Sequence, residues 1–259
     1  MYFQHIKYSC KLSGDDDPDN VSFDDREILW RVVRSRVRDM RIGRFLDVGA
    51  GDGYLTERIA MNADETVAVE PDHRCHAKLA RRSIRNLTII EEPIEDCAFG
   101  GISFDLILLS HSIYHIQRWP QIRCKMRDLL SDRGRILVLT QTGMGSFHEA
   151  LNIVRDTLIA QSAYLSYPYA SIVPADAPAP RPVFSFFTIE MGFESMSSAF
   201  TYIEGLFGNL SIRHRPKYQR DLSEYLDKHR AAKGVALQDI QCAVEWKPCR
   251  FKGGVESWG

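Results

Sequence analysis

The chain has 259 residues, and its 33 Lys and Arg against 34 Asp and Glu leave a formal net charge of −1. That balance excludes a global electrostatic pull toward nucleic acid or an anionic membrane, so neither is expected as a partner. No apolar run approaches the roughly 20 residues that span a bilayer, and the first residues, MYFQHIKYSC, lack the charged start and apolar core of a secretory signal. Six scattered cysteines (Cys10, Cys75, Cys97, Cys124, Cys242 and Cys249), with no C-x-x-C pair, predict reduced thiols and a cytoplasmic setting.

Residues 1–20 are polar and carry the acidic turn Asp15-Asp-Asp-Pro18, which predicts an arm or lid. A helix is expected from Ser22, with Ser22 as cap and Asp24, Asp25 and Glu27 at its positive end. Ile28, Leu29, Val32, Val33, Val37 and Met40 form its apolar face. Arg31, Arg34, Arg36, Arg38 and Arg41 lie around the other sides and read as a solvated face rather than an RNA-binding stripe.

Strand and helix then alternate. Strands are expected at Phe45–Val48, Thr66–Val69, Leu87–Ile90, Leu106–Leu109 and Ile136–Leu139. Helices are expected at Tyr54–Met61, Asp72–Ile84, Trp119–Leu130 and Gly145–Ile159. This alternation predicts a parallel sheet with helices on both faces. Right-handed crossovers bring the loops after the strands to one sheet edge, so Gly49–Gly53, Glu70, Glu91–Glu92 and Ser110–His111 should meet in one cleft. Past Ile159 the rhythm breaks, and Gln161–Met191 reads as an aromatic and proline-rich insertion. A sixth strand is expected at Phe193–Thr201, helices at Ile203–Leu210 and Gln219–Ala232, and a seventh, antiparallel strand at Asp239–Trp246.

The run Phe45-Leu-Asp-Val-Gly-Ala-Gly-Asp-Gly-Tyr54, followed by Val67-Ala-Val-Glu-Pro71, carries the chemistry. Glycines let the backbone pass close to a ligand, and a carboxylate at the next strand end can accept from both hydroxyls of a ribose. The dinucleotide fingerprint G-x-G-x-x-G is missing, because Tyr54 stands where the third glycine belongs. The pattern D-x-G-x-G-x-G resembles motif I of the class I S-adenosylmethionine-dependent methyltransferases, and the resemblance covers Arg44 to Gln141. It implies an α/β, Rossmann-like sheet of seven strands, the last one antiparallel, with helices on both faces and a smaller inserted region covering the substrate. The core would span 21–142, with the rest of the sheet and insertions near 160–191 and 203–235 in 143–259. The implied cofactor is S-adenosylmethionine. Asp47 would lie near its methionine ammonium, Gly49, Ala50, Gly51 and Gly53 would pass its amino-acid end, and Glu70 with Pro71 would hold the ribose. Glu91 or Glu92 would meet the adenine, and Ser110 would border the cleft.

Ser110-His-Ser-Ile-Tyr-His-Ile-Gln-Arg-Trp119 and Leu129–Thr142 resemble the same stretch of the histamine N-methyltransferases. There a glutamine, an acidic residue of the first helix and an asparagine near the last strand hold the amine. This chain offers His111, then Asp24 or Asp25, then Gln238 or Asp239. The resemblance implies methyl transfer to a small molecule and suggests a nitrogen acceptor. Transfer to oxygen, with His111 as general base, and a binding protein without turnover are the alternatives. Tyr114 would share the pocket of His111, and Tyr164, Tyr167, Tyr169, Phe186 and Phe187 would cage a cation or flat ring. No metal is expected: His111 and His115 lack a partner at ligand spacing, and His73, Cys75 and His76 read as a solvated helix start.

Overall fold

The computed structural model describes residues 6–13, 22–23, 25–158, 182–207 and 209–247. Among them are nine strands and seven α-helices. The strands are β1 (Ile6–Ser13), β2 (Ser22–Phe23), β3 (Ile42–Val48), β4 (Ala63–Val69), β5 (Leu87–Ile90), β6 (Phe104–Ser110), β7 (Leu130–Met144), β8 (Val183–Phe193) and β9 (Val235–Trp246). The helices are α1 (Arg26–Val37), α2 (Tyr54–Ala60), α3 (His73–Ala80), α4 (Trp119–Asp128), α5 (Ser146–Leu158), α6 (Met196–Gly205) and α7 (Asn209–Asp227). One sheet holds all the strands, in the order β2-β1-β8-β9-β7-β6-β3-β4-β5.

The seven strands from β8 to β5 form the expected sheet, with β9 antiparallel to both β7 and β8. Strands β3 to β7 are parallel, so the loops that follow them share one edge. The strands read as apolar runs because both faces are covered. On one face Leu106, Leu108, Leu137 and Leu139 pack with Ile28, Val32 and Val33 of α1 and with Phe147, Leu151 and Val154 of α5. On the other, Ile107, Leu109 and Val138 pack with Ile122 and Met126 of α4 and with Ile94, Cys97 and Phe99.

Two expectations are corrected. Ile6–Ser13 is a strand paired in parallel with β8, in place of a free arm. The sixth strand is Val183–Phe193, and 196–205 is helix. Ser195 caps that helix by accepting from the Ser198 N–H, and the Ser198 side chain accepts from the Ser195 N–H in return, a reciprocal pair that stops the strand. α6 and α7 occupy the chain between β8 and β9 and pack on α5. Buried Glu204 binds Arg215 and accepts from the Tyr218 hydroxyl at 2.7 Å, which ties the two helices together. Among the described residues no helix is long and apolar enough to cross a membrane.

Arg31, Arg38 and Arg44 pair with Glu27, Asp39 and Glu65 at the protein surface.

Candidate active site

The chain turns from β3 into α2 through Gly49, Gly51 and Gly53, with φ of 73°, 58° and 81°. An L side chain is strained at each. A Cβ at Gly49 would lie 2.3 Å from Ser112 Cβ, and one at Gly53 would lie 2.2 Å from Leu79 Cδ1. Nothing lies within 4 Å of a Cβ placed on Gly51. Two glycines therefore seat the loop against protein, and the third faces open space.

That space is a cleft of about 500 Å³ lined by Gly49, Gly51, Glu70, Pro71, Ser110 and His111, among others. Its size is in the range of small-molecule and cofactor sites, about 300–1,000 Å³. Glu70 is 7% exposed. Its Oε2 accepts from the Gly51 N–H at 2.7 Å and its Oε1 from the Asp72 N–H at 2.9 Å. One carboxylate thus fastens the glycine loop to the start of α3. Each oxygen keeps a further acceptor position, which suits the two hydroxyls of a ribose.

Asp47 lies under the loop, 2% exposed, accepting from the Thr56 hydroxyl at 2.7 Å. Burial pushes its carboxyl up to about 7; the Thr56 hydrogen bond opposes this and the Glu70 charge adds to it. A cation nearby would relieve that cost. Ala50 donates its N–H to Val69 O at 3.2 Å and Gly53 caps α2, so both shape the loop. Glu91 and Glu92 are not among the lining residues; Pro93, Ile94 and Glu95 of the same segment are. His73 Nδ1 lies 2.6 Å from Glu91 Oε1 and draws that carboxylate toward α3.

A second group of polar side chains stands beside His111, on the face covered by α1 and α5. His111 has φ of 53° and holds its backbone by donating its N–H to Leu139 O at 3.0 Å. Tyr114, behind it, accepts from the Gln141 N–H at 2.7 Å and the Thr140 hydroxyl at 2.9 Å. The Tyr114 hydroxyl is 3.3 Å from His111 Nδ1. Which of the two donates in this contact follows from the tautomer of His111. His111 Nε2 is buried with no hydrogen-bond partner among the described residues, and so is Gln241 Oε1.

The Gln241 amide donates to Asp239 Oδ2 at 2.8 Å, and His148 Nε2 of α5 is 3.1 Å from Asp239 Oδ1. Asp239 is 3% exposed. Asp25, the residue before α1, belongs to the same group: burial raises its carboxyl, the His111 charge lowers it and the Asp239 charge raises it, and the Gln241 side chain hydrogen-bonds to it. Asp25, His111, Asp239 and Gln241 thus converge from three separate parts of the chain.

Asp24, Tyr164, Tyr167 and Tyr169 lie outside the described residues. Phe187 is not on an insertion: it is a buried residue of β8, packed in the core opposite Gln241 in the strand register. Gln238 is exposed, and its N–H donates to Ser146 Oγ at 2.8 Å. Strand alternation sends Asp239 and Gln241 to the cluster and Gln238 to the other face. Sequence reasoning missed Gln241 and His148. The period of two from Asp239 would have found Gln241; His148 has no signal short of the fold.

A class I methyltransferase fold and a site shaped for S-adenosylmethionine define the class of this protein. The family model described as "Methyltransferase domain" matches residues 24–182, and the chain belongs to that family. The YcgJ protein of Bacillus subtilis shares the fold with a TM-score of 0.59 at 12% identity, over 85% of this chain and 97% of that one. A putative methyltransferase of Bacillus halodurans C-125 gives 0.54 at 11% identity, over 83% and 96%. The structure titled "DhpI-SAH complex structure" is 20% identical with a TM-score of 0.41, and the match covers 46% of this chain and 58% of that one. No curated protein matches the chain in sequence.

Proposed function

We infer that this protein transfers a methyl group from S-adenosylmethionine to a nitrogen of a small amine or nitrogen heterocycle. One observation carries the reading: two carboxylates, Asp25 and Asp239, stand with His111 and Gln241 beside the cofactor cleft, and two buried polar atoms there have no partner. Buried polar groups without partners are costly and call for a ligand that satisfies them. A cationic amine meets the carboxylates, and its other polar atoms meet His111 Nε2 and Gln241 Oε1. The narrower likeness to the histamine N-methyltransferases rests on Ser110–Trp119 and Leu129–Thr142, and His111 stands where that family has a glutamine.

When bound, the cofactor supplies an electrophilic methyl group on a sulfonium. The residues of this chain hold the acceptor so that its lone pair lines up with that methyl, and such alignment is worth about 7–11 kcal/mol in well-oriented reactions. An amine arrives protonated and must lose a proton first. Asp25, raised by burial, is suited to take it. Methyl transfer to a phenol would instead need His111 as the general base.

The reading is tested by incubating the protein with S-adenosylmethionine carrying a labelled methyl group and a panel of arylalkylamines, imidazoles, amino acids and phenols, followed by mass spectrometry. Label on nitrogen is expected. Label on a phenol oxygen alone would replace the reading with O-methylation. No label, with S-adenosylhomocysteine bound, would support a binding role.

A further inference from the structure

We propose that His73, His76 and Glu91 form a site for a divalent transition metal at the rim of the cofactor cleft. His73 and His76 are three residues apart at the start of α3, which puts both rings on one helix face. Parallel pairing of β4 with β5 brings Glu91, the first residue after β5, beside them. His73 Nδ1 is 2.6 Å from Glu91 Oε1, and His76 Nδ1 is 3.6 Å from Glu91 Oε2. One ligand atom from each residue falls within 4.8 Å of the others. A tetrahedral ion with bonds of about 2.0–2.1 Å spaces its ligand atoms about 3.3 Å apart, so small side-chain rotations suffice.

Two imidazoles and one carboxylate are the donor set of zinc, cobalt or nickel, whereas magnesium and calcium prefer oxygen alone. The side chains of His73 and Glu91 are 83% and 39% exposed, which leaves an entry path and room for water in the remaining positions. Cys75, between the histidines, lines the cofactor cleft instead. Asp72 caps α3 by accepting from the N–H groups of Arg74 and Cys75, which fixes the turn that carries both histidines.

The site joins the two walls of the cleft. Asp72 and Cys75 line one side from α3, and Pro93, Ile94 and Glu95 line the other just past Glu91. An ion held by both would fasten one wall to the other.

The full chain is titrated with zinc chloride by calorimetry and with cobalt chloride by visible absorption, without methyl donor or acceptor. The result therefore stands apart from that of the methyl-transfer assay. One saturable ion per chain is expected, unaffected by excess magnesium. Losing an outer-shell partner alone costs about 10–100-fold in metal affinity, so His76→Ala and Glu91→Gln should each weaken it at least tenfold. The conservative Glu91→Gln and the exposed His73→Ala keep the test open if His76→Ala misfolds. Affinity unchanged in these variants, or no saturable binding, would overturn the proposal.

Discussion

The two halves of the site are built differently. The cofactor half comes from contiguous chain: a strand, a glycine turn, a helix start and the next strand end, Phe45 to Asp72. Its geometry is set by backbone, through positive φ at three glycines and two N–H groups on Glu70. The proposed acceptor half draws on Asp25, His111, His148, Asp239 and Gln241, and is set by side chains from four separate parts of the fold. A backbone-built site resists change of ligand. A side-chain-built site can change acceptor by substitution while the fold stays, so one methyltransferase fold serves many acceptors.

The sharpest way to break this contrast is Gly49→Val. Left-handed strain costs about 1–2 kcal/mol, and overlap with Ser112 adds about 1–3 kcal/mol. Thermal denaturation should show the loss, and S-adenosylhomocysteine binding should fail; normal binding would deny the loop its role. Next, Asp239→Asn should cost about 1.5–3 kcal/mol of acceptor binding, as for a hydrogen bond to a charged group. Its KM for the acceptor should rise while cofactor affinity holds, and a matching fall in cofactor affinity would merge the two halves. Glu70→Ala leaves two N–H groups without their acceptor and should weaken S-adenosylhomocysteine by about 1–3 kcal/mol in calorimetry.

His111→Ala sharpens the chemistry. A rate loss near tenfold fits a hydrogen-bond donor, about 1.4 kcal/mol, and a loss of 10²–10⁴ fits a general base. Cofactor affinity should stay put in either case. The smallest effect concerns Asp47. Its native carboxyl sits near 7, above its ordinary value of 3.8, so its charged form is disfavoured in the fold. Stability from this group is present at low pH and falls as pH rises from about 4 toward 7. Asp47→Asn should therefore raise the melting temperature more at pH 8 than at pH 5. If a cofactor ammonium comes near Asp47, binding at pH 7 releases a proton, seen as a dependence of calorimetric heat on buffer ionisation. No release would place the ammonium elsewhere.

Glu70 and the glycines were legible because a nucleotide-type site needs them at fixed spacing around one turn. Asp25 and Asp239 were legible only as candidates, since Asp24 and Gln238 stand beside them with similar chemistry. Strand alternation separates Asp239 from Gln238, and it depends on register. Val183–Met191 falls in the stretch that reads as an insertion, because its aromatics follow prolines. Its partner β9 begins more than forty residues later, and nothing local reveals such a pairing. Ile6–Ser13 was missed for the same reason.

By itself, the sequence determined the strand and helix rhythm, the glycine turn and the carboxylate that grips it. These follow from local periodicity and from the φ values that glycine alone tolerates. The tertiary structure decided that Asp239 turns to His148 and Gln241 while Gln238 faces the other way, that Glu91 turns to two histidines, and that β8 and β1 extend the sheet. These depend on contacts between distant segments, and such contacts form only when the sheet is paired and its faces are packed.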